Sequence, residues 1–156
     1  MAKSVRMSDD DAWAVLDRAH TGILTSLRRD GMPIATPVWF VALGRRVYVA
    51  GQLHTKKYQR IARDPRVSFL VESGERWAEL VGVHLTGRAV QVEPGPRFDE
   101  VMAALHEKYA PYRGVRAEMP DATREYYERQ AITIEIVPDD RILTWDNSRL
   151  FATDES

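Results

Sequence analysis

The sequence predicts a mostly β fold with peripheral helices, curled into a small closed or nearly closed barrel. Three observations carry this. Residues 21–27 and 131–137 alternate in the manner of half-buried strands. Asp30-Gly31, between two strand-like runs, is a strong hairpin signal. Residues 77–93 form the longest β-like run, apolar on both faces and interrupted by Gly82 and Gly87, as where a sheet bends on itself. A length of 156 residues suits one domain, 1–156, with a short N-terminal helix and a polar C-terminal tail.

Taken in order, residues 8–19 predict a helix. Ser8 can cap it, Asp9, Asp10 and Asp11 suit its positive end, and Ala12, Trp13, Leu16 and Ala19 share a face. His20 at its end reads as structural. The strand 21–27 turns at Asp30-Gly31 into a partner over 33–43. There Ile34, Thr36, Val38 and Phe40 fall on one face, with Ala35, Trp39 and Val41 on the other. Pro37 cannot donate to a ladder, so this strand must lie at an edge or open into a bulge. An opening beside Trp39 could receive a flat ligand, although on this feature alone an ordinary edge strand is the preferred reading.

Gly44 turns the chain into a strand from Arg46, followed by a loop and a helix from Thr55. Thr55 is the expected N-cap, its hydroxyl accepting a free amide of the first turn. Lys56 and Lys57 then occupy that first turn. Lysine has the wrong sign there, by about 0.3–1 kcal/mol per charge. An anion held by the free amides, the hydroxyl and both ammonium groups removes the conflict; solvated surface lysines are the plainer reading. The chain has four lysines among 22 basic residues, so an adjacent pair at a helix start is unusual. Asp64-Pro65 stops the helix, 67–72 is a short strand, and His84 in the long strand reads as buried and hydrogen-bonded.

Pro94-Gly95-Pro96 breaks that strand. Phe98, Val101, Met102, Leu105 and Tyr109 then repeat at helical spacing. Residues 121–130, with Tyr126 and Tyr127, predict a further helix. After 131–137, Asp139-Asp140 reads as a turn into a last short strand over 141–145.

The formal net charge of −1 favours neither nucleic acid nor an anionic membrane. A single-strand-binding barrel using Trp39, Trp77 and the basic turn is disfavoured on the same ground. There is no cysteine, hence no thiol nucleophile. The polar first residues and the lack of a long apolar run give the expectation of a cytoplasmic protein. No dinucleotide fingerprint, phosphate-binding P-loop or zinc motif occurs, and the four histidines lack ligand spacing, so no metal site is expected. An enzyme built from these residues would borrow its reactive group from a cofactor. No catalytic proton donor stands out; Tyr48 and His54 lie near the lysine turn in sequence.

Several segments resemble one family. Residues 21–27, then Asp30-Gly31-Met32-Pro33 and Thr36-Pro37-Val38-Trp39-Phe40, resemble the opening hairpin of the pyridoxamine 5'-phosphate oxidase-like split β-barrel superfamily, which binds flavin mononucleotide (FMN). The likeness continues through 55–68, then Glu79-Leu80-Val81-Gly82-Val83 and Gly87-Arg88-Ala89. Thr144-Trp145-Asp146 and Leu150 resemble a Ser-Trp-Asp-His-x-Lys-Leu ending of its flavin/deazaflavin-dependent oxidoreductase branch. Thr144, Asn147 and Arg149 depart from that pattern.

The resemblance implies a split β-barrel homodimer with two cofactor sites at the subunit interface. It implies FMN or the deazaflavin F420, with a phosphate at Thr55, Lys56 and Lys57. Pro37, Val38 and Trp39 would contact the ring and its linker, and Ala50 and Gly51 would line the near wall. Trp77 and Trp145 would come from the other subunit. The implied reaction is hydride transfer to or from a small, conjugated substrate. The Trp-Asp ending and the extra charge of Arg60 favour F420; an FMN flavoprotein and a non-catalytic carrier of a cofactor or tetrapyrrole are the alternatives.

Overall fold

The computed structural model describes residues 3–114, 118–129 and 131–152, with the backbone alone for 127–129. The expected helix end at Gln130, the side chain of Tyr127 and the tail beyond 152 lie outside the described residues. In chain order the elements are α1 (Asp9–Arg18), β1 (Gly22–Leu27), β2 (Pro33–Val38), β3 (Val41–Leu43), β4 (Arg46–Gln52), α2 (Lys56–Arg63) and β5 (Arg66–Ser73). They continue with β6 (Val81–Gln91), α3 (Pro96–Tyr109), α4 (Asp121–Arg129) and β7 (Ala131–Asp146). Short 3-10 turns occupy Trp77–Glu79, Ala110–Tyr112 and Asn147–Leu150.

The seven strands form one antiparallel sheet in the order β2-β1-β5-β6-β7-β4-β3. β2 and β3 are its two edges, yet only Trp39 and Phe40 separate them in the chain. Two residues cannot cross the width of a flat seven-stranded sheet, so the sheet must curl until its edges meet. The expected single strand over 33–43 is therefore two strands, with the seam of the split barrel between them. Pro37 sits on the edge strand, opposite Ile23, where its missing N–H breaks no shared ladder.

The inward residues make the core. Phe40, Val47, Val49, Phe69, Val83 and Leu85 are almost fully buried, and α1 and α2 add Leu16 and Ile61. Ser8 caps α1 by accepting from the Asp11 amide at 3.2 Å. α3 packs on the outer side of β3 and β4 through Val101, Leu105 and Tyr109, against Val41 and Tyr48.

Two strand boundaries differ from expectation. Residues 77–79 are a 3-10 turn, and the long strand starts at Val81. Asp139-Asp140 is no turn: β7 runs unbroken for 16 residues and stays paired with β6 on both sides. Leu85 faces Ile142 while Gly87 faces Pro138, so the extra residues bulge outward, and the Thr86 hydroxyl ties Asp139 at 2.7 Å. Gly87 is glycine because a Cβ there would meet the Val137 carbonyl at 2.2 Å. His84 is half-buried between Leu70 and Leu143 and makes no hydrogen bond among the described residues, unlike the buried, bonded histidine expected.

Candidate functional site

The β4–α2 turn delivers the charged cluster. Thr55 holds the N-cap position in extended conformation, but its hydroxyl makes no cap. It donates to the Gln52 carbonyl at 2.9 Å, which corrects the expected role. The side-chain cap is thus missing, the first turn has no acid, and Lys56 and Lys57 follow at once. Gln59 reaches back to the His54 carbonyl at 3.0 Å and steadies the turn.

α2 then splits its charges by face. Tyr58 and Ile61 enter the core, while Lys56, Gln59, Arg60 and Arg63 recur at helical spacing on the other side. These line an open cleft of about 590 Å³ against the β1–β2 turn, which contributes Arg28, Arg29 and Asp30. Arg28 neutralises Asp30, the one acid there, in an ion pair. Arg60 donates to the buried Ser26 hydroxyl at 2.9 Å and Arg63 to the Leu27 carbonyl at 2.8 Å, so both guanidinium groups are anchored to β1. Among the described residues none of Lys56, Lys57, Arg29, Arg60 and Arg63 is in an ion pair.

Lys57 sits on the flank of this cleft rather than in it. It is half-buried, with its ammonium 5.4 Å from the Tyr58 ring centre. Desolvation, and then the nearby Arg60 charge, lowers its pKa below the ordinary lysine value. A bound anion would oppose both causes by favouring the charged ammonium. Tyr58 beside it is buried, its hydroxyl has no partner among the described residues, and burial raises its pKa.

The remaining expected site residues fall into three places. Ala50 points outward into the α3 cluster, and Gly51 points inward beneath Tyr58, whose ring leaves 2.2 Å for a Cβ. Pro37, Val38 and Trp39 lie at the seam: Pro37 exposed, Val38 in the core, and Trp39 38% exposed with one face stacked on Tyr109. Four residues along β4, from Tyr48 to Gln52, separate the seam from the lysine turn. That is about 13 Å at the usual strand rise. Trp77 and Trp145 sit together elsewhere. The Trp145 ring covers Gly82, and the Asn147 amide donates to the Trp77 carbonyl at 2.7 Å. Gly82 lies nine residues from the Gln91 end of β6, roughly 30 Å away along the strand. One chain therefore brings the turn and the seam near each other and leaves both tryptophans far from the lysine turn, at the opposite end of β6.

Sequence reading overlooked Arg28, Arg29 and Arg63. The 56/59/60/63 spacing on one helix face was the available signal for Arg63. The hairpin arginines join only through the fold.

A family model described as pyridoxamine 5'-phosphate oxidase matches residues 8–137. No curated protein matches the sequence. Among solved structures, the conserved hypothetical protein Rv2991 of Mycobacterium tuberculosis is 25% identical, with a TM-score of 0.78 over 98% of this chain and 93% of its own. A structure described as an F420 reductase is 21% identical, with a TM-score of 0.63 over 83% of this chain and 94% of its own. HutZ, a heme storage protein of Vibrio cholerae, is 12% identical, with a TM-score of 0.69 over 90% and 97%. The last two likenesses speak for the fold alone. The match over residues 8–137 includes the seam, the lysine turn and most of the strands, and by it the chain belongs to the pyridoxamine 5'-phosphate oxidase family.

Proposed function

We propose that this protein is an F420-dependent oxidoreductase that transfers a hydride between the deazaflavin and a small conjugated substrate. The observation that carries the reading is the set of cations along α2 and the β1–β2 turn that form no ion pair among the described residues. One phosphate needs the helix end and one or two positive groups. Here Lys56, Arg60, Arg63 and Arg29 surround a cleft beside Lys57, more charge than a single phosphate uses. A cofactor with a phosphate and further acid groups on its tail suits this excess better than FMN does. Thr55, Lys56 and Lys57 would hold the phosphate, and Arg60 and Arg63 the acidic tail. Trp39, with Pro37 and Val38, would meet the ring at the seam, and Ala50 and Gly51 would stand behind the linker. The bound deazaflavin would supply the hydride chemistry, while these residues bind it, orient it and keep its reacting face toward the substrate.

The reading includes a homodimer in the cytoplasm, with Trp77 and Trp145 completing the partner's site. It is supported by the exposure of Trp77 at 63% and by the apolar outer face of the sheet, where Leu143 is 56% exposed. Two further readings keep the same fold: an FMN flavoprotein, and a carrier of a cofactor or tetrapyrrole that binds tightly without turnover.

Titration with F420 and with FMN tests this, in the wild type and in Lys57→Glu. F420 should bind more tightly than FMN, and charge reversal should weaken it at least tenfold, about 1.4 kcal/mol. Equal affinity in the two proteins would remove the phosphate from Lys57. Preference for FMN, or tight binding with no donor–acceptor turnover, would select one of the other readings.

A further inference from the structure

One buried side chain bonds the backbone of the seam and stacks on its tryptophan. Tyr109, the last residue of α3, is 0% exposed. Its hydroxyl accepts from the Phe40 amide at 2.8 Å. It has two carbonyls to donate to, Phe40 and His20, both at 2.8 Å. With a single proton it serves one of them at a time. Phe40 is one of the two residues between the edge strands, outside both ladders. Its amide and carbonyl lack sheet partners; Tyr109 accepts from the amide, and the Tyr109 hydroxyl and the Lys108 ammonium both reach the carbonyl.

The same side chain sets the neighbouring ring. The Trp39 and Tyr109 rings are parallel within 2°, with centroids 4.3 Å apart. His20 meets both edge-on, at 5.9 Å from Trp39 and 5.4 Å from Tyr109. Tyr109 thus touches both the backbone that launches Trp39 and the face of its indole, with Lys108 sharing the Phe40 carbonyl and His20 the ring edge. A phenylalanine would fill the same volume and keep the stack, so the hydroxyl is the part that core packing alone does not require.

We propose that Tyr109 is a positioning residue for cofactor binding: it presents Trp39 as a preordered platform for a flat ring. It touches no ligand itself and acts through Trp39 and the Phe40 backbone. Ordering the indole before binding lowers the entropy lost when a ring lies on it. This rests on the assignment of Trp39 to the cofactor ring.

The test separates ring affinity from anion affinity, using F420 and inorganic pyrophosphate as probes. Tyr109→Phe should bind F420 at least fivefold more weakly and pyrophosphate within twofold of wild type. Trp39→Leu should show a similar loss, and the double variant should be no worse than Trp39→Leu alone, because the two act as a unit. Additive losses, or a matching loss for pyrophosphate, would mean that Tyr109 only supports the fold, and would overturn the proposal. Unchanged F420 affinity in Tyr109→Phe would overturn it while leaving the F420 reading intact. A wild type that binds pyrophosphate but neither F420 nor FMN would overturn both. Should Tyr109→Phe not fold, Lys108→Met loosens the same Phe40 carbonyl, which the Lys108 ammonium binds at 2.9 Å. At least a twofold loss of F420 affinity is then expected, and no loss would overturn the proposal.

Discussion

At the scale of the residue, two positions show how space and charge are committed. Gly51 has no room for a Cβ, because the Tyr58 ring lies 2.2 Å from where it would be. Gly51→Ala should therefore destabilise the protein by about 1–3 kcal/mol through overpacking. At this size that is roughly 2–4 °C of melting temperature per kcal/mol, readable by calorimetry. An unchanged melting temperature would mean that Tyr58 swings aside freely. Lys57 commits charge instead. Its folded pKa is depressed by burial and Arg60, so without a ligand the unfolded chain holds the proton more tightly. The sign follows: this group's contribution to stability rises as pH climbs through its folded pKa towards the unfolded value. Anion affinity moves the other way and should fall as Lys57 loses its proton. Lys57→Arg should hold affinity to higher pH, since a guanidinium stays charged. Parallel pH profiles for the two proteins would show that Lys57 does not meet the anion.

At the scale of the element, α2 trades its own stability for its surroundings. Its first turn has no acid, its N-cap hydroxyl is turned away, and two lysines face the positive end of the helix dipole. Each departure is unfavourable for an isolated helix. Lys56→Glu reverses one of them and should raise stability by about 0.3–1 kcal/mol. The same change should weaken pyrophosphate binding at least tenfold, by placing an acid in the cleft. A variant that is both more stable and equally able to bind would mean that the basic face is ordinary solvated surface. The arginines of α2 do not share this strain, because Arg60 and Arg63 lie in its last turn, where the dipole favours positive charge, and Ser26 and the Leu27 carbonyl hold them in place.

At the scale of the whole molecule, the curl of the sheet decides which parts meet. Closing β2 against β3 leaves the seam and the lysine turn about 13 Å apart on β4. It also leaves the Trp77 and Trp145 end far from the lysine turn, near an outer face with Leu70, His84 and Leu143 in register. If that face joins two copies, Leu143→Arg should shift the protein from dimer to monomer in sedimentation velocity. F420 affinity should fall with it, since the tryptophans of the second copy would be lost. A wild type that sediments as a monomer at micromolar concentration, yet binds F420, would end the dimer proposal.

The sequence by itself determined the strand periodicities, the Asp30-Gly31 hairpin, the capped α1 and the lysine pair at a helix start. Each of these is a local matter of spacing and backbone chemistry. Its errors were also local signals, outvoted by long-range pairing in one case and by a competing local bond in the other. The Asp139-Asp140 turn is absorbed as a bulge because β6 pairs with β7 on both sides of it. The Thr55 hydroxyl turns back to Gln52 instead of capping α2. Only the tertiary structure could set Arg28 and Arg29 opposite Arg60 and Arg63, or bring Tyr109 to Phe40 across 69 residues. Such meetings depend on how a seven-stranded sheet closes, and no short stretch of sequence records where distant strands will lie.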